Sequence, residues 1–317
     1  MPFYIELPEN SAAAMSESTM TFTIQNDSDV QAKTFADDDA SITDYLYKGW
    51  KYSETKENDT DYTAVTHYGF TCDLTSIQMA DEITAVFGLK DAADSEKITA
   101  VYSVKKYLDT LIENAADGSN LSNLAKALKD YGHYAQITLS ETNTVYGTHT
   151  EMDKADSTKT FYNDTTAGDV KTAVEGYAIT KDSSFDGLTF TLELNSKIDL
   201  IVYFPGAVAV KSISVYDAES DTTKTLANDT DYKVSGNTVT IYSLSAHELA
   251  NEYTITADTD KTVTIYGLSY VKGVLDTDTY TDLNLKSDSE LNNLKNAVIA
   301  LYNYCETEIA YRKSPND

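Results

Sequence analysis

The chain has 317 residues, 51 Asp+Glu against 24 Lys+Arg, and a formal net charge of −27. So acidic a surface repels phosphate backbones and anionic lipid, which sets nucleic acid aside as a partner. With 41% hydrophobic residues there is enough to bury real cores, two domains suit the length, and no run of about 18 apolar residues exists to insert in a membrane.

In chain order, Tyr4-Ile5-Glu6-Leu7-Pro8 opens as an apolar strand closed by proline. Tyr45, Tyr47, Trp50 and Tyr52 follow as an aromatic cluster. The turn Asn58-Asp59-Thr60-Asp61-Tyr62 leads to strand residues around Phe70-Thr71-Cys72-Asp73-Leu74 and Ile83-Thr84-Ala85-Val86. A helix is expected from Ser95 to about Ala116, ended by Gly118. A second runs from Leu121 to about Gln136 with its apolar stripe at Leu121, Leu124, Leu128, Tyr131 and Ala135. From Ser140 to Gly176 the sequence is polar and weakly periodic, and reads as a linker.

Beyond it, Leu188–Leu194 is a strand, and Leu192, Leu194, Ile198, Leu200 and Val202 alternate as a half-buried strand requires. Ser235-Gly236-Asn237 has hairpin-turn chemistry between Val234 and Thr238–Tyr242. Leu244–Ala250 reads as a short helical turn, and Tyr253–Thr256 as a further strand. The last helix carries Leu291, Leu294, Val298, Leu301 and Cys305 on one stripe.

The most informative feature is self-similarity. Asn58–Tyr62 recurs unchanged as Asn228–Tyr232, an offset of 170 residues. At that offset Leu74-Thr75 matches Leu244-Ser245, and Met79-Ala80-Asp81-Glu82 matches Leu249-Ala250-Asn251-Glu252. The offset slips by six, pairing Tyr102 with Tyr266, then returns to 170, where Leu121, Leu124 and Tyr134 match Leu291, Leu294 and Tyr304. One strand-then-two-helices unit has been duplicated, with residues 1–139 and 177–317 as the copies and 140–176 between them. The strand Leu188–Leu194 has no counterpart in the first copy, so the first sheet is expected to lack an edge strand, and exposed edges invite strand addition.

Several stretches resemble a known group. Tyr102-Ser103-Val104-Lys105-Lys106-Tyr107 with Leu124–Gln136 is similar to a "YSVKDY … LVKAMLNYGAYAQ" helical signature. Phe70–Thr84 resembles "FTCEVAAKEMTDTIT". Tyr266–Tyr270 with Ala297–Tyr304 resembles "YSALSYV … ALYKYYEA". These belong to large surface proteins of anaerobic gut Firmicutes. His133, where the family has a small residue, and the stretch Asp37–Tyr52 depart from the pattern. The resemblance implies a mainly β fold with α: two Ig-like β-sandwich units, each followed by a C-terminal helical pair. It also implies extracellular display, attached to the cell surface through other parts of a parent protein. The implied role is binding or adhesion rather than catalysis, with a host protein or glycan as partner: a host glycoprotein such as immunoglobulin, or a polysaccharide such as starch or mucin glycan. A structural spacer is the third reading, and the chain is expected to be monomeric.

Chemistry is sparse in the sequence. His67, His133, His149 and His247 are scattered, and His247-Glu248 lacks a histidine at position 251, so the zinc-helix spacing fails. No P-loop, nucleophile elbow or dinucleotide turn appears, and neither a catalytic residue nor a cofactor is expected. The Asn-Asp-Thr-Asp turns offer oxygens but lack the EF-hand glycine and distal glutamate, so strand turns are expected rather than a metal site. Cys72 and Cys305 are expected as separate buried hydrophobes. Tyr45, Tyr47, Trp50 and Tyr52 are the candidate ligand-binding residues, since aromatic faces stack on sugars and anchor interfaces; the competing reading makes Trp50 a core plug.

Overall fold

The computed structural model describes residues 2–6, 18–25, 30–34, 46–51, 63–89, 93, 96–142, 149–194, 197–258 and 260–314. It is mainly β with some α: sixteen strands in four antiparallel sheets and five α-helices among the described residues. No helix there is long and apolar enough to cross a membrane. The chain divides into two compact units. Unit 1 holds Met1–Leu74, Ala80–Lys106 and Gly147–Thr150, and unit 2 holds Thr75–Met79, Tyr107–Tyr146 and Glu151–Asp317.

Unit 1 contains β1 (Pro2–Glu6), β2 (Ser18–Ile24), β3 (Val30–Thr34), β4 (Leu46–Lys51), β5 (Thr63–Thr71), β6 (Ile83–Leu89) and β7 (Ile98–Tyr102). The sheets run β1-β5-β4 and β3-β2-β6-β7. In β2, Met20, Phe22 and Ile24 are buried while Thr19 and Thr23 are exposed, the period-two pattern of a half-buried strand. The β2–β6 register sets Met20 opposite Phe87, Phe22 opposite Ala85 and Ile24 opposite Ile83. The inward rows therefore meet, and Phe70 and Cys72 complete the core, with the Phe70 and Phe87 rings 5.8 Å apart. Burying a side chain of this size contributes about 1.5–3 kcal/mol.

The helix expected from Ser95 starts later. Ile98-Thr99-Ala100-Val101-Tyr102 forms β7, because branched and aromatic side chains suit a pleated strand and pair along β6. The helix α1 then runs Val104–Asn114, started by Ser103, whose Oγ accepts the Lys106 N–H. Gly118, at φ +79°, ends this region in the left-handed conformation that glycine tolerates.

Unit 2 contains α2 (Asn120–Thr142), α3 (Ala167–Ala173), α4 (Leu268–Asp276) and α5 (Asp288–Lys313). Its strands are β8 (Thr180–Lys181), β9 (Thr189–Leu194), β10 (Ile198–Tyr203), β11 (Val210–Asp217), β12 (Thr222–Thr225), β13 (Tyr232–Ser235), β14 (Thr238–Leu244), β15 (Glu252–Ala257) and β16 (Lys261–Ile265). The sheets run β13-β14-β10-β9 and β12-β11-β15-β16-β8. Leu200, Val202, Val239 and Ile241 from the first join Ile213, Ile255, Val263 and Ile265 from the second in one buried cluster. The β13–β14 hairpin turns through Gly236-Asn237, with Gly236 at φ +64° as the first central residue of a primed turn requires. Met152, Phe161, Val170 and Val174, from the stretch that reads as a linker, also lie in unit 2's buried core.

Helices α2 and α5 lie antiparallel. Asn120, at the start of α2, donates to the carbonyls of Ala310 and Ser314, while Thr138, near its end, donates to that of Asn293. Midway the Tyr131 and Tyr304 rings stack 5.8 Å apart. Gly132 and Gly267 sit where neighbouring atoms leave little room for a side chain. A Cβ at Gly132 would sit 3.0 Å from Met79 Sδ, and one at Gly267 would sit 2.9 Å from the Leu249 Cα. The second contact is with backbone, which cannot swing aside. Gly267→Ala should therefore lower stability by about 1–3 kcal/mol in urea denaturation, and alanine is also the weaker residue at this helix N-cap.

Candidate functional site

A groove of about 560 Å³ lies in unit 2. Its walls come from four places: the end of α2 (Thr138, Leu139), the edge strand β9, α4 through Tyr270, and the segment 282–294. Each is held for a local reason. The chain enters α5 through Ser287, whose Oγ accepts the Glu290 N–H, while Glu290 Oε2 accepts the Lys286 N–H at 2.7 Å. Just before, a 3-10 turn at Tyr280–Leu283 closes on Asn284, at φ +55°, a left-handed residue that asparagine accepts more readily than most. That turn places Leu283 and Leu285 at the groove.

The floor is aromatic. Phe190 of β9 meets Tyr270 edge-on, ring centroids 6.5 Å apart at 80°. Burial pushes the Tyr270 hydroxyl's pKa up, opposed by its hydrogen bond with Thr191. β9 lies at the end of its sheet, so the lining residues Thr189, Phe190 and Thr191 belong to an edge strand. Two carboxylates, Asp282 and Glu290, supply the charge among the lining residues. Such a surface can hold an extended, partly apolar segment, with carboxylates to receive a cationic side chain.

Of the sequence-derived binding residues, Tyr45 and Tyr52 lie outside the described residues. Tyr47 and Trp50 are placed by backbone only, in β4 opposite His67 and Ala64 of β5. The groove was not legible in advance, since it joins residues from position 138 to position 294. Its one local signal is the Asn284 turn before the helix start.

The three histidines with described side chains do not converge. His133 Nδ1 lies 2.5 Å from the Met152 carbonyl oxygen. His149 Nδ1 lies 2.5 Å from Asp81 Oδ2, and Asp81 Oδ1 also accepts the Thr150 N–H at 2.7 Å. Asp81 is 0% exposed, so this carboxylate pins residues 149–150 to unit 1 from inside. His247 pairs instead with Glu308, which takes both its Nδ1 at 3.0 Å and its backbone N–H at 3.1 Å. Among the described residues no cluster of three or more His, Cys, Asp or Glu is placed to hold a metal ion. Asp231, from the repeated turn, accepts the Ala227 N–H at 2.8 Å and acts as a turn residue. Cys72 and Cys305 are not joined in a disulfide and both are buried, and burial pushes the Cys305 thiol well above its ordinary pKa, away from the reactive thiolate.

Burial raises the Glu308 pKa, but the hydrogen bonds and charge of His247 outweigh it and hold the carboxyl below its ordinary value of 4.5. A depressed folded-state pKa stabilises above the unfolded value and is lost as pH falls through the folded one. Stability should therefore decline below about pH 4.5, and Glu308→Gln should flatten that acid limb in thermal melts across pH 2–6. An unchanged limb would remove this carboxylate from the account.

Comparison with known protein families, with curated proteins and with solved structures finds no match to this chain.

Proposed function

We propose that this chain is a non-enzymatic extracellular binding or adhesion protein, built from two divergent copies of one Ig-like sandwich-and-helix unit, that engages a host glycoprotein such as immunoglobulin. Strand order supports the duplication. Sheets β3-β2-β6-β7 and β1-β5-β4 of unit 1 correspond, strand for strand, to β12-β11-β15-β16 and β10-β14-β13 of unit 2. The 3-10 turns at Ser76–Gln78 and His247–Ala250 fall at equivalent places in that order, and α1 and α2 correspond to α4 and α5.

Binding is supported chiefly by the groove against β9. It offers an aromatic floor, Leu283 and Leu285 as apolar contacts, and an open strand edge for main-chain hydrogen bonds. The lopsided charge adds long-range attraction for a cationic partner surface. The surface-protein resemblance supplies the choice of a host glycoprotein.

Immobilised chain should retain immunoglobulin from serum or mucosal secretions. Leu285→Asp, at a half-buried groove position, should weaken retention about ten-fold or more while leaving the thermal melt within a few degrees. Retention that ignores Leu285→Asp would move the site elsewhere. Retardation in native gels containing starch or mucin, abolished by Trp50→Ala in a protein that still folds, would favour the glycan reading instead.

A further inference from the structure

We infer that strand β7 of unit 1 is an acceptor edge for an extended polypeptide segment with the chemistry of unit 2's own Thr180–Leu194, supplied by another chain. The inference rests on the duplication proposed above, and the occupant is read from what covers the equivalent edge in unit 2.

There, one continuous segment closes one side of the two-sheet core. Thr180 and Lys181 pair with Thr264 and Val263 of β16, and the Asp182 N–H donates to the Thr262 carbonyl at 3.1 Å. The chain then turns through Ser183–Phe185, with Asp182 accepting the Ser184 N–H at 2.9 Å. Phe185 is driven inward, buried with its ring 5.1 Å from that of Phe204, and the Lys261 ammonium lies 6.0 Å from the Phe185 centroid. The segment ends as β9, paired along the whole of β10. One strap thus covers the outer strands of both sheets and plugs the core between them with an aromatic ring.

In unit 1 the strands at the same sheet positions are β7 and β1. Among the described residues β7 has one strand partner, β6, and β1 has one, β5. Residues 98–101 of β7 are each exposed, with Ile98 at 52% and Val101 at 47%. On the face that meets Ala85, Ala100 is exposed, whereas Val263, on the matching rung of β16 opposite Ile255, is fully buried. An exposed edge is normally blunted by lysine, proline or a bulge, because it templates pairing with another chain. Ile98-Thr99-Ala100-Val101-Tyr102 carries no proline and no charge, and its register along β6 is unbroken. It is a strand fit to pair on its open side, beside a core whose equivalent in unit 2 takes a phenylalanine.

The test uses the full chain and a labelled synthetic peptide of Tyr177–Leu194, read by fluorescence anisotropy and amide hydrogen exchange. Saturable binding tighter than about 1 mM is expected, with slowed exchange at residues 98–102. A peptide N-methylated at alternate residues should not bind, because it cannot complete a strand ladder. A Phe185→Ala peptide should bind about ten-fold more weakly. The protein variant Ile98→Lys/Val101→Lys changes two exposed side chains, so its fold should hold by circular dichroism while affinity drops about ten-fold. Absence of saturation would overturn the inference. So would protection confined to Lys261–Ile265, which would mean exchange with the chain's own strap, or equal binding by the N-methylated peptide. Serum capture involves no peptide, so the two readings fail separately.

Discussion

The contact on which unit 2 depends is the antiparallel seam between α2 and α5. Both helices would be marginal alone, since helical stability in proteins comes mostly from packing an apolar face. Here α5 is buried at Ala297, Val298, Ile299, Ala300 and Leu301, residues that together span more than one face. It therefore works as a central helix, with α2 on one side and the two-sheet core taking part in the same apolar cluster. The stacked Tyr131–Tyr304 pair sits in this seam, and burial raises both phenols, Tyr131 to about 12. These tyrosines are packing elements whose hydroxyls stay protonated throughout the physiological range.

Polar groups buried beside the seam serve positioning. Lys129 is nearly buried and pairs with Asp109 at 2.5 Å and Asp153 at 3.3 Å. Asp130, 1% exposed, accepts the backbone N–H groups of Ala155 and Tyr162; burial raises its pKa against those two bonds. Gln136 donates to the Ile77 carbonyl and accepts from the Met152 N–H. Removing one member of such a set leaves a buried group unpaired, which costs more than the bond itself. The irregular stretch 151–162 keeps its place because α2 presents these side chains to it.

Among the described residues the two units place their sheets in matching orders but finish them differently. Unit 2 adds β8 and β9 from one segment, and this gives it both a plugged core and the groove beside β9. The same edges that make β-rich units adhesive also expose them to mispairing, and how each edge is covered decides which of the two occurs.

Much of this architecture was readable beforehand. Alternation marked β10 and the β13–β14 hairpin, and Gly236 and Gly118 took the positive φ their positions suggested. Of the α5 stripe at Leu291, Leu294, Val298, Leu301 and Cys305, all are buried as the spacing implies except Leu294, which is half-buried and lines the groove. The second face of α2 was hidden, because Ser122, Lys129, Asp130 and Gly132 are polar or small letters that count as interior only once Asp109, Ala155 and Met79 stand opposite them. The boundary at Ser103 was also hidden, since a short branched run next to a helix satisfies either period until β6 is there to pair with it. Periodicity and turn chemistry are local, so the sequence by itself determined most strands and the long helices with their main apolar stripes, while the β7–α1 boundary and helix α3 within the polar stretch needed their tertiary partners. The groove, the strap and the buried ion pairs join residues far apart along the chain, and only the tertiary structure decided them.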